Sequence, residues 1–335
     1  MPSSDRMERL ATGLLRPPVA YREIADLHLG FDVLSGAAPE AALRDHAERP
    51  AGCCAVVGGG GAGKSSLIAA VADSLGPTRF PVRVRGATDP AVLTREGFGL
   101  HVARETLQAL DDMPVAGPRP RSLRSAREAV AAESRVSRGG GSASAGVPLP
   151  VEFRAQVGTT AREVTEQRDA VSIAHALQQL VDITAGFGRR LLLVVEDTDV
   201  FMPPDPRDEE ESQRPRRFID GVIVYLAREF PSTSMIAVNS RYARELPAAL
   251  LPTVEVPRLD PAAIPRLIEH YALRNGGLHI AAEDIAEPDA LAYVAGRYDE
   301  TGDVRTTLDL LDKAARKVVG EQRGDRITVD VLHGL

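Results

Sequence analysis

Residues suited to phosphate chemistry stand together between Gly58 and Ser66. The candidate binding groups, in order, are Gly58, Gly59, Gly60, Gly61, Ala62, Gly63, Lys64, Ser65 and Ser66. In the Gly-x4-Gly-Lys-Ser spacing, backbone N–H groups wrap a phosphate chain, the lysine reaches its terminal phosphates and the serine hydroxyl binds Mg²⁺. Glycine suits the loop because wrapping requires close approach of the backbone and positive φ. The stretch therefore predicts a triphosphate site.

Acidic residues that could complete this site follow an apolar run at Leu191–Val195, namely Glu196, Asp197 and Asp199. Carboxylates at the carboxyl end of a strand beside a phosphate loop can hold Mg²⁺ through water and polarise an attacking water. Two assignments stay open. Glu196 lies on the metal side and Asp197 acts as base, or Asp197 holds the metal and Asp199 acts as base.

The loop needs a strand before it and a helix after it, and both patterns are present. Cys53–Val57 is small and apolar, as in a buried parallel strand, and Ser66–Leu75 has helical spacing. The amino end of that helix would favour an anion. Further strands are predicted at 80–84, 234–238 and 254–256, separated by helical patterns. The fold class expected is α/β, a parallel sheet flanked by helices.

We expect three parts in the chain. Residues 1–50 form a helical lead-in, 51–257 the core with the sheet, and 258–335 a helical domain, since only helical patterns follow Pro261. In the lead-in, Tyr21–Ser35 reads as one helix, with His28 on its apolar face and most simply a packing residue.

Within the core, residues 113–150 are rich in Arg, Gly and Pro. This composition predicts an exposed, largely disordered insertion, with a short helix near 122–132. Its basic stretch 119–138 could bind nucleic acid, although a solvated loop is the simpler interpretation. Residues 151–164 alternate in polarity and suggest a hairpin.

Bulk composition excludes several classes of protein. The 335 residues carry a formal net charge of −7, which disfavours nucleic-acid binding by the whole surface. The only two cysteines are adjacent, in a predicted buried strand, and indicate a reducing compartment. Neither a signal peptide nor a membrane span is predicted, so we expect a cytoplasmic protein without a membrane partner.

The order of these motifs resembles the AAA+ ATPases, from about Tyr21 to the carboxyl terminus. Gly58–Ser65 stands at the Walker A motif, 191–197 at Walker B, and Asn239 at the end of the sensor-1 strand. GDVRTTLDLLDKAAR (302–316) is similar to the third helix of the lid, where Arg305 matches the sensor-2 arginine. The lead-in YREIADL resembles the origin-recognition, or initiator-type, branch, although this chain stops where its winged helix would begin.

The resemblance implies P-loop ATPase activity with ATP and Mg²⁺ as cofactors. It assigns catalysis to Glu196, Asp197, Asn239 and Arg305, and metal binding to Ser65 with Glu196 or Asp197. The family usually has Asp before Glu at the end of its Walker B strand, whereas Glu196 precedes Asp197 here, which makes slow turnover an expectation as well. Arg241 and Arg244 are the candidates for an arginine acting on a neighbouring subunit.

Several functions remain open at this point. The first is an ATP-hydrolysing protein that assembles as a homo-oligomer or with a protein partner and remodels it. The second is a slow nucleotide switch of the signal-transducing type. The third is a DNA-associated ATPase that uses the basic stretch 119–138, and a small-molecule kinase is a weaker fourth.

Overall fold

A parallel sheet lies at the centre of the computed structural model, which describes residues 7–15, 21–87, 89–113, 121–139, 173–322 and 324–335. The strands are β1 (Gly52–Gly58), β2 (Arg79–Arg85), β3 (Arg190–Glu196), β4 (Thr233–Asn239) and β5 (Thr253–Glu255). They pair in parallel, in the order β2-β3-β4-β1-β5. The predicted fold class is confirmed.

Strand order corrects one detail of the expected site. The sequence predicts that the phosphate loop and the acidic residues follow neighbouring strands, but β4 lies between β1 and β3. The order of buried parallel strands cannot be read from their composition, because each is a nearly continuous apolar run. The carboxyl ends of all three strands still meet at one edge of the sheet.

Helices cover both faces of the sheet. Before β3 they are α1 (Tyr21–Asp26), α2 (Phe31–Ser35), α3 (Pro39–Ala47), α4 (Lys64–Ser74), α5 (Arg95–Asp112), α6 (Arg121–Gly139) and α7 (173–186). After β3 they are α8 (Glu209–Phe218), α9 (Val224–Arg228), α10 (Ile264–Gly276), α11 (Pro288–Thr301), α12 (Val304–Gly320) and α13 (Val329–His333). A π-type turn, Ile219–Ile223, joins α8 to α9.

Alternate residues of β1 point into two separate hydrophobic cores, as strand geometry requires. Cys54 and Val56 face a core shared with α4, the lead-in helices and the helices after residue 261. Cys53, Ala55 and Val57 face a second core shared with α5, α6, α7 and the α8–α9 segment. The carboxyl-terminal helices therefore pack on the same face of the sheet as the phosphate-loop helix α4.

Two stretches differ from the sequence prediction. Tyr21–Ser35 forms two helices, α1 and α2, because Gly30 with ψ of 141° interrupts the helical backbone. The composition of the acidic stretch 203–213 (PPDPRDEEESQ) predicts a solvated loop. Its second half instead begins α8 at Glu209, where the Asp208 side chain caps the helix by accepting from the Glu211 N–H.

The insertion is also more ordered than its composition indicates. Arg121–Gly139 forms α6, in which Leu123, Ala126 and Val130 recur at helical spacing and are buried in the second core. The short helix predicted near 122–132 is present, and it is longer than expected. Residues 114–120 and 140–150 lie outside the described residues, as does the hairpin predicted at 151–164. Across the described ranges, the search for a helix able to cross a bilayer found none.

Candidate functional site

The phosphate loop connects β1 to α4 at the carboxyl edge of the sheet. Its backbone takes positive φ at Gly61 (64°) and Gly63 (100°), and Gly63 caps α4. Residues other than glycine are strained at such angles, which accounts for glycine at these two positions. The N–H groups of the first turn of α4 have no helical partner and are available to an anion.

Lys64, the first residue of α4, extends back over the loop. Its Nζ donates to the carbonyl oxygens of Gly58 (2.9 Å) and Gly59 (2.6 Å). Burial lowers the pKa of Lys64, while the nearby carboxylate of Asp199 opposes this shift and Arg305 adds to it. A partly desolvated cation beside unpaired N–H groups is suited to hold a phosphate.

Glu196 ends β3 and is fully buried. One of its oxygens, Oε2, accepts from Arg83 Nε on the neighbouring strand at 2.5 Å. Burial raises the pKa of Glu196, whereas Arg83 and a hydrogen bond from the Ser65 hydroxyl act in the opposite direction. The second oxygen, Oε1, is buried and has no hydrogen-bond partner.

The environment of Glu196 fits a divalent cation. The Glu196 carboxyl group interacts with the Ser65 side chain and keeps one oxygen without a partner, and Mg²⁺ prefers oxygen ligands of this kind. No cluster of three or more His, Cys, Asp or Glu side chains occurs within the described ranges. In proteins Mg²⁺ is usually bound through one or two carboxylates, and water and substrate phosphates complete its shell.

Asp197 and Asp199 follow β3 in a short turn. Asp197 has φ of 54°, and its carboxylate is half exposed at 3.7 Å from Arg85 Nε. Between the two acids, the Thr198 hydroxyl donates to the carbonyl oxygen of Ala237 at 2.5 Å and ties the turn to β4. Both aspartates line the cavity described below, so the geometry leaves either of them in reach of a bound ligand.

Asn239 pairs in register with Gly58 at the end of β4. Its Oδ1 accepts from the backbone N–H of Arg241 at 3.1 Å, which leaves its amide nitrogen as the group able to donate to a ligand. Arg241 lies 3.5 Å from Asp205 in an exposed ion pair. Neither Arg241 nor Arg244 is among the described residues that line the cavity introduced below.

Helix α12 meets the phosphate loop with its amino end. The backbone N–H of Val304 donates to the carbonyl oxygen of Gly61 at 3.2 Å. Asp303 caps the helix by accepting from the Thr306 N–H, and a Cβ at position 61 would overlap its carboxylate. Arg305 is exposed toward the cavity beside Lys64. The predicted sensor-2 residue is thus at the site.

These elements enclose a cavity of about 200 Å³. Its polar side is formed by Gly60–Ser66, Asp197, Asp199 and Arg305. Its apolar side is formed by the lead-in and the carboxyl-terminal helices, through Ile24, Leu27, Phe31, Leu34, Leu259, Leu267 and Tyr271. Of the predicted site residues, Gly58, Gly59, Glu196 and Asn239 lie around the cavity but do not line it.

Sequence reasoning missed several residues at this site. Arg83, which pairs with Glu196, could have been suspected, because it is a charged residue within an otherwise apolar strand. His28 was interpreted as a packing residue, but it lines the cavity and is hydrogen-bonded to the side chains of Ser66 and Glu40. Asp303 gave no signal beyond that of an ordinary helix cap.

The loop between β1 and α4, the acidic end of β3 and the Asn-ended β4 share one edge of the sheet, with a helical unit over them. The fold is of the AAA+ type. No family model and no curated protein matches the chain. Solved structures to which it is similar are those of ORC proteins, at 13–16% sequence identity.

A structure of Drosophila ORC bound to DNA is 13% identical, with a TM-score of 0.46, over 98% of this chain and 64% of that one. The Aeropyrum pernix ORC1 protein in complex with DNA is 16% identical, with a TM-score of 0.47, over 91% and 68%. The Aeropyrum pernix ORC2 protein in its ADP form is 15% identical, with a TM-score of 0.48, over 88% and 66%. The chain thus spans about two thirds of the length of these proteins.

Proposed function

We propose that this protein binds ATP with Mg²⁺ and hydrolyses it, coupling its nucleotide state to the assembly or remodelling of a partner. The observation that carries the proposal is the meeting of Lys64, Arg305 and the first turn of α4 at one cavity. Two cations and unpaired N–H groups make this cavity attractive to a polyphosphate. The apolar side of the cavity is suited to a nucleobase.

Each residue at the phosphate end has a role that its position supports. The amides of Gly58–Gly63 and the Lys64 ammonium bind phosphates, and Ser65 with Glu196 holds Mg²⁺. When bound, Mg²⁺ neutralises charge on the phosphate oxygens. Burial of Glu196 beside Ser65 favours it over Asp197 for the metal side.

Attack on the terminal phosphate requires a positioned water. We assign its activation to Asp197, whose carboxylate lines the cavity, and its orientation to the Asn239 amide. Arg305, next to Lys64, would stabilise the terminal phosphate and report its presence to α12. The division into lead-in 1–50, core 51–257 and lid 258–335 belongs to this proposal, as do a cytoplasmic location and a homo-oligomer or protein partner.

The test is steady-state ATP turnover by the wild type, Asp197→Asn and Asp199→Asn, together with ATP affinity. We expect Asp197→Asn to bind ATP with near wild-type affinity and to lose turnover by about 10²-fold or more. If only Asp199→Asn loses turnover, Asp199 is the base that activates the water. If the wild type binds ATP tightly but does not hydrolyse it, the protein is a nucleotide switch and not an ATPase.

A second function is favoured by one observation on α6. Arg124 is 86% exposed and Arg127 44% exposed in their side chains, on a helix anchored through its apolar residues. A DNA-associated ATPase would use these arginines on phosphates and would bind with steep salt dependence. Replacing both with Glu should abolish such binding while leaving ATP affinity unchanged. Salt-independent or absent DNA binding by the wild type would eliminate this function.

A further inference from the structure

His28 lies between the lead-in helices and the phosphate-loop helix. It is in the segment that joins α1 to α2, and its side chain is 10% exposed. Nδ1 lies 2.9 Å from the Ser66 hydroxyl on α4, and Nε2 lies 3.0 Å from Glu40 Oε1 on α3. The ring therefore bridges two separate elements by hydrogen bonds, which packing alone does not require.

The carboxylate fixes the direction of these bonds. Glu40 Oε1 also accepts from the backbone N–H of Phe31 at 2.8 Å, so it is held in place as an acceptor. Nε2 must then carry the hydrogen that Glu40 accepts. In the neutral ring Nδ1 is an acceptor, and the Ser66 hydroxyl donates to it.

We propose that His28, oriented by Glu40, is a positioning residue for the bound nucleotide, because it fixes Ser66 in the turn that receives the phosphates. This proposal rests on the proposed function. Ser66 directly follows Ser65 and lines the cavity. With its hydrogen held by Nδ1, the Ser66 hydroxyl keeps one orientation, and the first turn of α4 is tied to the lead-in helices.

Substitution of His28 removes the hydrogen bond between its ring and the Ser66 hydroxyl. In His28→Ala the Ser66 hydroxyl loses its acceptor, and the first turn of α4 loses its hydrogen-bonded link to the lead-in helices. Loss of one such hydrogen bond is expected to weaken ATP binding by roughly three- to tenfold. In His28→Asn a side-chain oxygen can replace Nδ1 as the acceptor, so part of the affinity should return.

The experiment is a double-mutant cycle on ATP affinity with His28→Ala, Ser66→Ala and the double variant. A residue that acts through Ser66 gives non-additive losses, so the double variant should bind no more weakly than the poorer single variant. Ser66→Ala retains a good helix former, so this variant is expected to fold. His279→Ala, which removes an exposed histidine, is the matched control and should bind ATP like the wild type.

Three results would overturn the proposal. The first is additive losses, which would mean that His28 supports the fold without acting through Ser66. The second is unchanged affinity in His28→Ala. The third is no recovery in His28→Asn. If the wild type binds ATP and Lys64→Ala does not, any of these results removes only the role of His28. If the wild type binds no ATP, the proposed function fails too.

Discussion

Replacing Arg83 by Met should lower the free energy of unfolding, and bound Mg²⁺ and ATP should restore part of the lost stability. Arg83 holds the fully buried Glu196 through Nε and Oε2 at 2.5 Å. Removing one partner of a buried ion pair leaves an uncompensated charge and costs about 3–5 kcal/mol. Because the Arg83 side chain is itself 19% exposed, we expect the lower end of that range, about 3 kcal/mol.

The repair follows from the position of Glu196 beside Ser65. Without Arg83, a bound Mg²⁺ would be the nearest compensating cation, so its affinity should rise in the variant. Ligand that binds only the folded state stabilises it by about 2.7 kcal/mol at a concentration of 100 Kd. Stabilisation by a fixed concentration of ATP and Mg²⁺ should therefore be larger in Arg83→Met than in the wild type.

Urea unfolding followed by circular dichroism measures both effects, in EDTA and in excess ATP with Mg²⁺. Arg124→Met is the control, because the Arg124–Glu128 pair is 86% and 68% exposed and should contribute under about 1 kcal/mol. The reasoning is refuted if Arg83→Met loses no more stability than this control. Equal ligand stabilisation of variant and wild type would refute the placement of Mg²⁺ beside Glu196.

Further predictions concern single positions. Lys64→Ala should abolish ATP binding in isothermal titration, and unchanged affinity would remove the basis of the assignment. Arg305→Ala should reduce turnover more than ATP affinity; wild-type turnover would mean that the lid is misassigned. The buried Leu259 N–H donates to the Tyr298 hydroxyl at 2.8 Å. Tyr298→Phe removes this acceptor, so the free energy of unfolding measured in urea should fall by about 1–3 kcal/mol. Burial raises the pKa of Glu196 above its ordinary value of 4.5, so the stability that its protonated form contributes is present below that value and is lost as pH rises through the raised pKa. Relative to wild type, Glu196→Gln should gain free energy of unfolding as pH rises above 4.5, and a pH-independent difference would contradict this.

The phosphate loop and the strands around it could be predicted because their signals are local. Positive φ requires glycine at Gly61 and Gly63, and continuous apolar runs predict β1 and β3. Arg305 could be found because the stretch 302–316 resembles the third helix of the lid in AAA+ ATPases. In each case the residues that carry the signal are close together in the chain.

The rest depends on contacts between distant segments. The place of β4 between β1 and β3 has no sequence signature, since buried parallel strands resemble one another. His28 follows the helical spacing of its apolar neighbours, and only the position of α3 turns it toward Glu40. In α6, the apolar spacing of Leu123, Ala126 and Val130 anchors the helix in the second core, but the Arg, Gly and Pro content of 113–150 obscures this signal.

The hydrogen bond from Val304 N–H to Gly61 O has a consequence for how mutations can affect the site. Both atoms belong to the main chain, so exchange of the side chain at Val304 or at the neighbouring Arg305 leaves this hydrogen bond in place, whereas any side chain at position 61 would meet the Asp303 carboxylate. Proline alone among the natural residues would remove the donor. Val304 is the first residue of α12, where helices accept proline. Val304→Pro would thus remove this hydrogen bond between the phosphate loop and α12 without disrupting the helix itself.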